Sequence, residues 1–224
     1  MRYLALATDY DGTLASHGRV AETSIVALQQ LRTSGRKLLL VTGRHLPDLT
    51  GIFPQVELFD RVVAENGALL YRPETQEEEL LCEAPNRRFV NLLQQKGIPL
   101  EVGRCVVATR EPHQETALSA IHDLGLDLQV IFNKGSVMIL PSGVNKATGL
   151  RAALDELSIS PQNIVGIGDA ENDHAFLAAC GCGVAVANAL PSLKERADMV
   201  TEGRNGQGVV EVIEQLLKND LVGH

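Results

Sequence analysis

The chain has 224 residues, 45% of them hydrophobic and 21% charged, with a formal net charge of −8. That is enough for one substantial domain, or for one domain carrying a smaller insert. The acidic balance argues against nucleic acid as a partner, since a phosphate backbone calls for clustered Lys and Arg, and no apolar run approaches the roughly 20 residues of a membrane-crossing helix.

The first element is a short apolar strand, Leu4-Ala5-Leu6-Ala7, ending at Thr8-Asp9. Asp9 and Asp11 arrive too early for the apolar stretch of a secretion signal, so a cytoplasmic location is the expectation. A helix over residues 21–34 follows, with Ile25, Leu28 and Leu31 at three-residue spacing and Gly35 as its stop. Leu38-Leu39-Leu40-Val41 reads as a strand buried on both faces, 45–52 as a short helix and Arg61-Val62-Val63-Ala64 as another strand. The acidic stretch 74–83 is read as a solvated hairpin or linker.

From residue 83 to 143 the grammar changes: helix 86–96, strand 104–109, helix 113–124, strand 127–132, a tight turn at Asn133-Lys134-Gly135 and strand 136–140. A turn that short joins antiparallel strands. After residue 145 the first rhythm resumes. A helix over Lys146 to Leu157 starts at a possible Asn145 cap, and Ile164-Val165-Gly166-Ile167 is a strand. Val184-Ala185-Val186 and the shorter Met199-Val200 are further strands, and a last helix covers 207–218. Strands alternating with helices predict an α/β fold, a Rossmann-like doubly wound parallel sheet. Its core would comprise 1–82 and 144–224, with a small α+β insert at 83–143. The four cysteines, Cys82, Cys105, Cys180 and Cys182, lack a zinc-site spacing and are read as reduced thiols.

Four segments at predicted strand ends or helix starts carry chemistry, and in an open α/β sheet such ends converge on one edge. In Asp9-Tyr10-Asp11-Gly12-Thr13-Leu14, two carboxylates two residues apart are costly unless a positive charge neutralises them, and Mg²⁺ with its preference for oxygen ligands does so. Gly12 allows an unusual backbone turn and close approach of an anion. Val41-Thr42-Gly43-Arg44 offers a hydroxyl and bare amides to phosphate oxygens. Lys146, in the first turn of its helix, can reach an anion. In Gly168-Asp169-Ala170-Glu171-Asn172-Asp173, the four-residue spacing can put Asp169 and Asp173 on the same side of a cation.

The ordered set DYDGTL, VTGR, NK and GDAEND closely resembles the four motifs of the haloacid dehalogenase superfamily, in its Cof-like phosphatase branch. Residues 64–68 (AENGA) and 138–146 (MILPSGVNK) are similar to that branch as well. The resemblance implies a phosphatase acting on a small phosphorylated metabolite, a sugar phosphate or a phosphoglycolate-like acid. It implies Asp9 as the nucleophile forming an aspartyl-phosphate and Asp11 as the general acid and base. Gly12, Thr42, Gly43 and Lys146 would hold the phosphoryl group, with Asn172 as an extra contact. Mg²⁺ would be bound by Asp9, the backbone carbonyl of Asp11 and Asp169, with Asp173 in support. The insert would be a small cap of the C2 type that closes over the phosphate and selects the leaving group.

Arg110 and Lys134, near strand ends or turns of the insert, are read as surface charge; contact with a substrate carboxylate or second phosphate is the alternative. Arg44 and His45 are expected beside the pocket, with His45 and His174 in structural roles. The rival functions are a phosphomutase of the same superfamily and a catalytically idle binding or regulatory module of a larger protein.

Overall fold

The computed structural model describes residues 1–222. Its strands are β1 (Ala5–Thr8), β2 (Ala15–Ser16), β3 (Arg19–Val20), β4 (Lys37–Val41), β5 (Arg61–Ala64), β6 (Leu69–Arg72) and β7 (Glu77–Leu80), then β8 (Glu101–Val102), β9 (Val107–Arg110), β10 (Leu128–Asn133), β11 (Ser136–Pro141), β12 (Ile164–Gly168), β13 (Cys182–Ala185) and β14 (Met199–Val200). Its helices are α1 (Glu22–Thr33), α2 (Leu46–Ile52), α3 (Arg87–Gln95), α4 (Gln114–Asp123), α5 (Lys146–Leu157), α6 (His174–Ala178), α7 (Pro191–Lys194) and α8 (Gly206–Asn219).

The large sheet runs β14-β13-β12-β1-β4-β5-β6-β7. Pairing is parallel from β14 to β5, as continuous apolar strands flanked by helices require. The strands β1, β4 and β12 are buried throughout except Lys37. The last two strands depart from the expected parallel pattern, because β5, β6 and β7 are antiparallel neighbours. The acidic stretch supplies β7, whose residues Glu77-Glu78-Glu79-Leu80 are all exposed. A charged outer strand is one way to blunt an open sheet edge.

Between β7 and α5 the chain builds a second sheet, β10-β11-β9-β8, antiparallel throughout. One face is covered by α3 and α4, with Phe89, Leu93, Ala117, Ile121, Val107, Val137 and Ile139 forming its own core. Buried contacts such as Ala68 with Cys105, Val106, Met138 and Leu140 pack this unit against the large sheet.

One connection organises both units. Between β5 and β6 the backbone is left-handed at Glu65, Asn66 and Gly67 (φ 50°, 55° and 99°). This bend turns Glu65 toward the smaller unit, where its buried carboxylate accepts the amides of Arg104 (3.0 Å), Cys105 (2.9 Å) and Val106 (3.0 Å). His45 stands 3.4 Å away on the other side. Burial alone would raise the Glu65 pKa, but the neighbouring His45 and the hydrogen bonds from the three amides pull it down to about 2. A carboxylate whose pKa falls on folding stabilises the fold fully above its ordinary value, 4.5, and loses that contribution as pH falls toward about 2. At 1.36 kcal/mol per pH unit this is about 3 kcal/mol. Glu65→Gln should therefore lower unfolding stability by about this amount at pH 7, with the deficit shrinking below pH 4.5. Urea titrations across that range check it, and a deficit independent of pH would refute the ionised-clasp account.

Candidate active site

The parallel register of β1 and β12 pairs Thr8 with Ile167 and brings the following residues together at one sheet edge. The amide of Asp9 extends that pairing by donating to the Ile167 carbonyl at 2.9 Å. Oxygen atoms of Asp9, Asp169 and Asp173, all buried, lie within 4.8 Å of one another.

Lys146 enters from the start of α5. The Asn145 side chain caps that helix, accepting from the amides of Ala147 and Thr148, and so fixes where its first turn begins. Gly149 on the next turn packs directly against Gly67, where a Cβ would come 2.5 Å from the Gly67 Cα. With this close approach the Lys146 ammonium is delivered between two carboxylates, 2.6 Å from Asp9 Oδ1 and 2.7 Å from Asp173 Oδ1. The other oxygen of Asp173 accepts from the amides of Asp169 (2.9 Å) and Ala170 (3.0 Å). Asp173 therefore braces the loop that presents Asp169 as well as facing Lys146.

Asp169 is enclosed by three further groups. Thr13 Oγ1 donates to its Oδ1 at 3.1 Å, and Lys134 of the β10–β11 turn pairs with its Oδ2. Gly12, with φ 86°, passes so close that any Cβ would overlap that same oxygen. Here only glycine meets both the backbone conformation and the space.

Asp11 stands apart from the three-carboxylate cluster. Its side chain, 40% exposed, is held by the Arg44 guanidinium at 2.5 and 2.7 Å. This bidentate pair raises the Arg44 pKa further. Of the residues assigned to metal by sequence, Asp11 is thus the one whose carboxylate is committed elsewhere. Asp9, Asp11, Thr42, Gly43 and Arg44 nonetheless line one cavity of about 180 Å³, to whose wall Ala108, Asn133, Ser136 and Met138 of the smaller sheet also contribute. Thr42 is buried, its Oγ1 accepting from the Arg44 amide at 3.1 Å. Asn172 donates to Asn66 Oδ1 at 2.9 Å, and its own Oδ1 is buried without a partner among the described residues.

Burial pushes the Asp9 carboxyl well above the ordinary range; Lys146 opposes the shift, while Asp173 and Asp169 add to it. Asp169 is likewise raised by burial, against the pull of Lys134. Burial alone would discharge Lys146, but Asp173 and Asp9 overcome it and hold the ammonium above its ordinary pKa. Three carboxylates thus share two ammoniums, and the upward shifts of Asp9 and Asp169 mean that the two do not fully offset the cost of ionising all three. An all-oxygen donor set of this kind fits a hard divalent cation such as Mg²⁺.

Arg110, at the end of β9, is exposed, in keeping with a surface charge. Lys134 is exposed as well, but the reading of it as ordinary surface charge is corrected by its ion pair with the buried Asp169. His45 serves at the Glu65 clasp, and His174 lies 3.5 Å from Ser192 Oγ, away from the cluster. The partners of Glu65, Thr13 and Lys134 are not encoded in local patterning, although the first two lie in segments similar to the family's, AENGA and DYDGTL.

A model of the haloacid dehalogenase-like hydrolase family matches residues 6–107 and 100–213. The chain is 31% identical to phosphoglycolate phosphatase 2 of Saccharolobus solfataricus, over 97% of its own length and 94% of that protein's. It is 30% identical to a phosphoglycolate phosphatase of Methanothermobacter thermautotrophicus, covering 95% and 98% of the two chains. Its fold superimposes on that of a haloacid dehalogenase subclass IIB sugar phosphatase with a TM-score of 0.77 at 19% identity, over 95% and 98% of the chains. The buried carboxylate cluster, its lysine and these matches lead to one conclusion: the chain belongs to the Cof-like branch of the haloacid dehalogenase superfamily and is a phosphatase.

Proposed function

We propose that the protein hydrolyses a small phosphorylated acid of the phosphoglycolate kind, dependent on Mg²⁺ and through an aspartyl-phosphate on Asp9. The observation that carries this reading is the buried triad of Asp9, Asp169 and Asp173 with Lys146 wedged between two of its members. Asp9, Asp169 and the backbone carbonyl of Asp11 would hold the cation, which neutralises charge on the transferring phosphoryl group.

The remaining chemistry belongs to the chain's own residues. An oxygen of Asp9 attacks phosphorus as the bond to the leaving oxygen breaks, and Asp11 delivers a proton to that oxygen. Asp11 then takes a proton from water, which attacks the same phosphorus and releases phosphate from Asp9. To do so Asp11 has to leave Arg44, with which it lines the same cavity as Asp9. Thr42, Gly43 and Lys146 steady the phosphoryl oxygens, with Asn172 an added contact. Residues 83–143 act as the cap, and the Glu65 clasp positions them over the site.

Two observations support a small substrate. The cavity of about 180 Å³ lies below the roughly 300–1,000 Å³ of pockets for drug-sized ligands. The relatives named above carry the name phosphoglycolate phosphatase.

Phosphate release from a panel of phosphoglycolate, sugar phosphates and p-nitrophenyl phosphate tests the reading. The expected result is a kcat/KM for phosphoglycolate at least about tenfold above the others, a margin one well-placed polar contact supplies, with activity abolished by chelation and restored by Mg²⁺. Isomer formation from a sugar phosphate without free phosphate would instead establish a phosphomutase.

A further inference from the structure

We infer that Lys134 is the residue of the smaller unit that selects the substrate, by binding the anionic group on its organic portion. This rests on the phosphatase reading above and adds what recognises the leaving group.

Three observations carry it. Lys134 crosses from the β10–β11 turn to a carboxylate of the catalytic cluster, pairing with Asp169 Oδ2, while nearly half of its side chain stays exposed. No other Lys or Arg of residues 83–143 contacts that cluster among the described residues. Second, the two-residue turn Lys134-Gly135 is left-handed at both positions (φ 48° and 85°), the pattern of a type I′ hairpin. Asn, Asp and Gly are the residues that suit its first position; a lysine there gains nothing locally. Third, the flanking residues Asn133 and Ser136 line the same cavity as Asp9, so the turn lies at its edge.

A divalent cation held by Asp169 would compete with the ammonium for that carboxylate and would leave Lys134 free to pair with a negative charge on the substrate. Asp48 and Glu101, which also line the cavity, discourage an acid that has no such partner. Lys134 thereby favours an ester bearing a carboxylate a bond or two from its phosphate over a neutral ester of similar size.

The test uses Lys134→Asn, because Asn accepts the left-handed turn and keeps the hairpin, with Lys134→Arg as the charge-preserving control. For phosphoglycolate, kcat/KM should fall by about 10- to 100-fold in the Asn variant, as expected when a charged hydrogen bond is lost. The loss should lie mainly in KM and be largely restored by Arg. The ratio of kcat/KM for phosphoglycolate to that for p-nitrophenyl phosphate should fall by about tenfold or more, because the neutral ester offers the ammonium no carboxylate to lose. Calorimetry without substrate should show Mg²⁺ binding to the Asn variant at least as tightly as to the wild type, because a competitor has gone. Equal losses on both substrates, no loss on either, or weaker Mg²⁺ binding would each overturn the inference. Should the wild type prefer a different phosphorylated acid, the substrate named above fails while the acid-to-neutral ratio for that ester still decides the role of Lys134. A wild type that hydrolyses only neutral esters refutes both.

Discussion

Asp9→Asn should reduce turnover by at least about 10⁴-fold, the scale seen when a nucleophile acting within a concerted catalytic unit is removed. The amide is isosteric with the carboxylate but cannot attack phosphorus. The variant also separates chemistry from folding. In the wild type, burial and two neighbouring carboxylates push the Asp9 carboxyl upward, so in the metal-free protein its ionisation opposes folding increasingly as pH rises past the ordinary carboxylate range. An amide carries no such penalty. The metal-free Asp9→Asn protein should therefore melt no lower than the wild type at pH 7.5 while being inactive. Acid-quenched mass spectrometry should find a phosphoryl adduct on Asp9 during wild-type turnover, and none on the variant. An active Asp9→Asn enzyme, retaining more than about 1% of the rate where the loss expected is far larger, would remove the nucleophile from this position.

Lys146→Met should be the most damaging change to activity and stability together. The ammonium is 1% exposed and touches both Asp9 and Asp173, so no solvent replaces it. Removing one partner of a buried charged pair costs about 3–5 kcal/mol, because the remaining charges are left uncompensated. The sign of the pH dependence follows. Asp9, raised by burial and no longer opposed by Lys146, titrates higher in the folded variant than in the unfolded chain, so stability is lost as pH rises and regained as it protonates. The wild-type lysine, whose folded pKa is raised, contributes steadily below its ordinary pKa, so the slope belongs to Asp9. Urea titrations should show a larger deficit at pH 8 than at pH 5.5. Turnover should fall by at least about 10³-fold, as for loss of a preorganised group that stabilises transition-state charge. A variant equally destabilised at both pH values would show that Lys146 acts through packing alone.

The contrast between Asp11 and Lys134 shows what kind of information each level carries. Asp11 was placed by its motif beside Asp9, yet its carboxylate is turned to Arg44, thirty-three residues away. Lys134 was read as surface because a charged residue in a hairpin turn usually is solvated. Its pairing with Asp169 depends on how the smaller sheet docks, and no periodicity within either segment encodes that. The short β2–β3 hairpin is not legible in the sequence for a related reason. Two-residue strands carry no readable alternation, and this one is set by backbone bonds from Leu14 and Ala15 back to Asp9 and Tyr10. Nor are β6 and β8 legible there, the first because it turns back antiparallel after the left-handed bend at residues 65–67.

The amino-acid order alone determined the alternating core, the presence of an insert with a tight hairpin, and the identity of the carboxylates and lysine at successive strand ends and helix starts. Those features follow from local periodicity and from the rule that parallel strands deliver their C-terminal ends to one edge. Tertiary structure decided which atoms meet there: the amides of residues 104–106 on Glu65, the guanidinium on Asp11 and the ammonium of Lys134 on Asp169. Each is a contact between distant segments: the first and third are fixed by the docking of two separately built sheets, the second by the pairing of β1 with β4 inside the larger one.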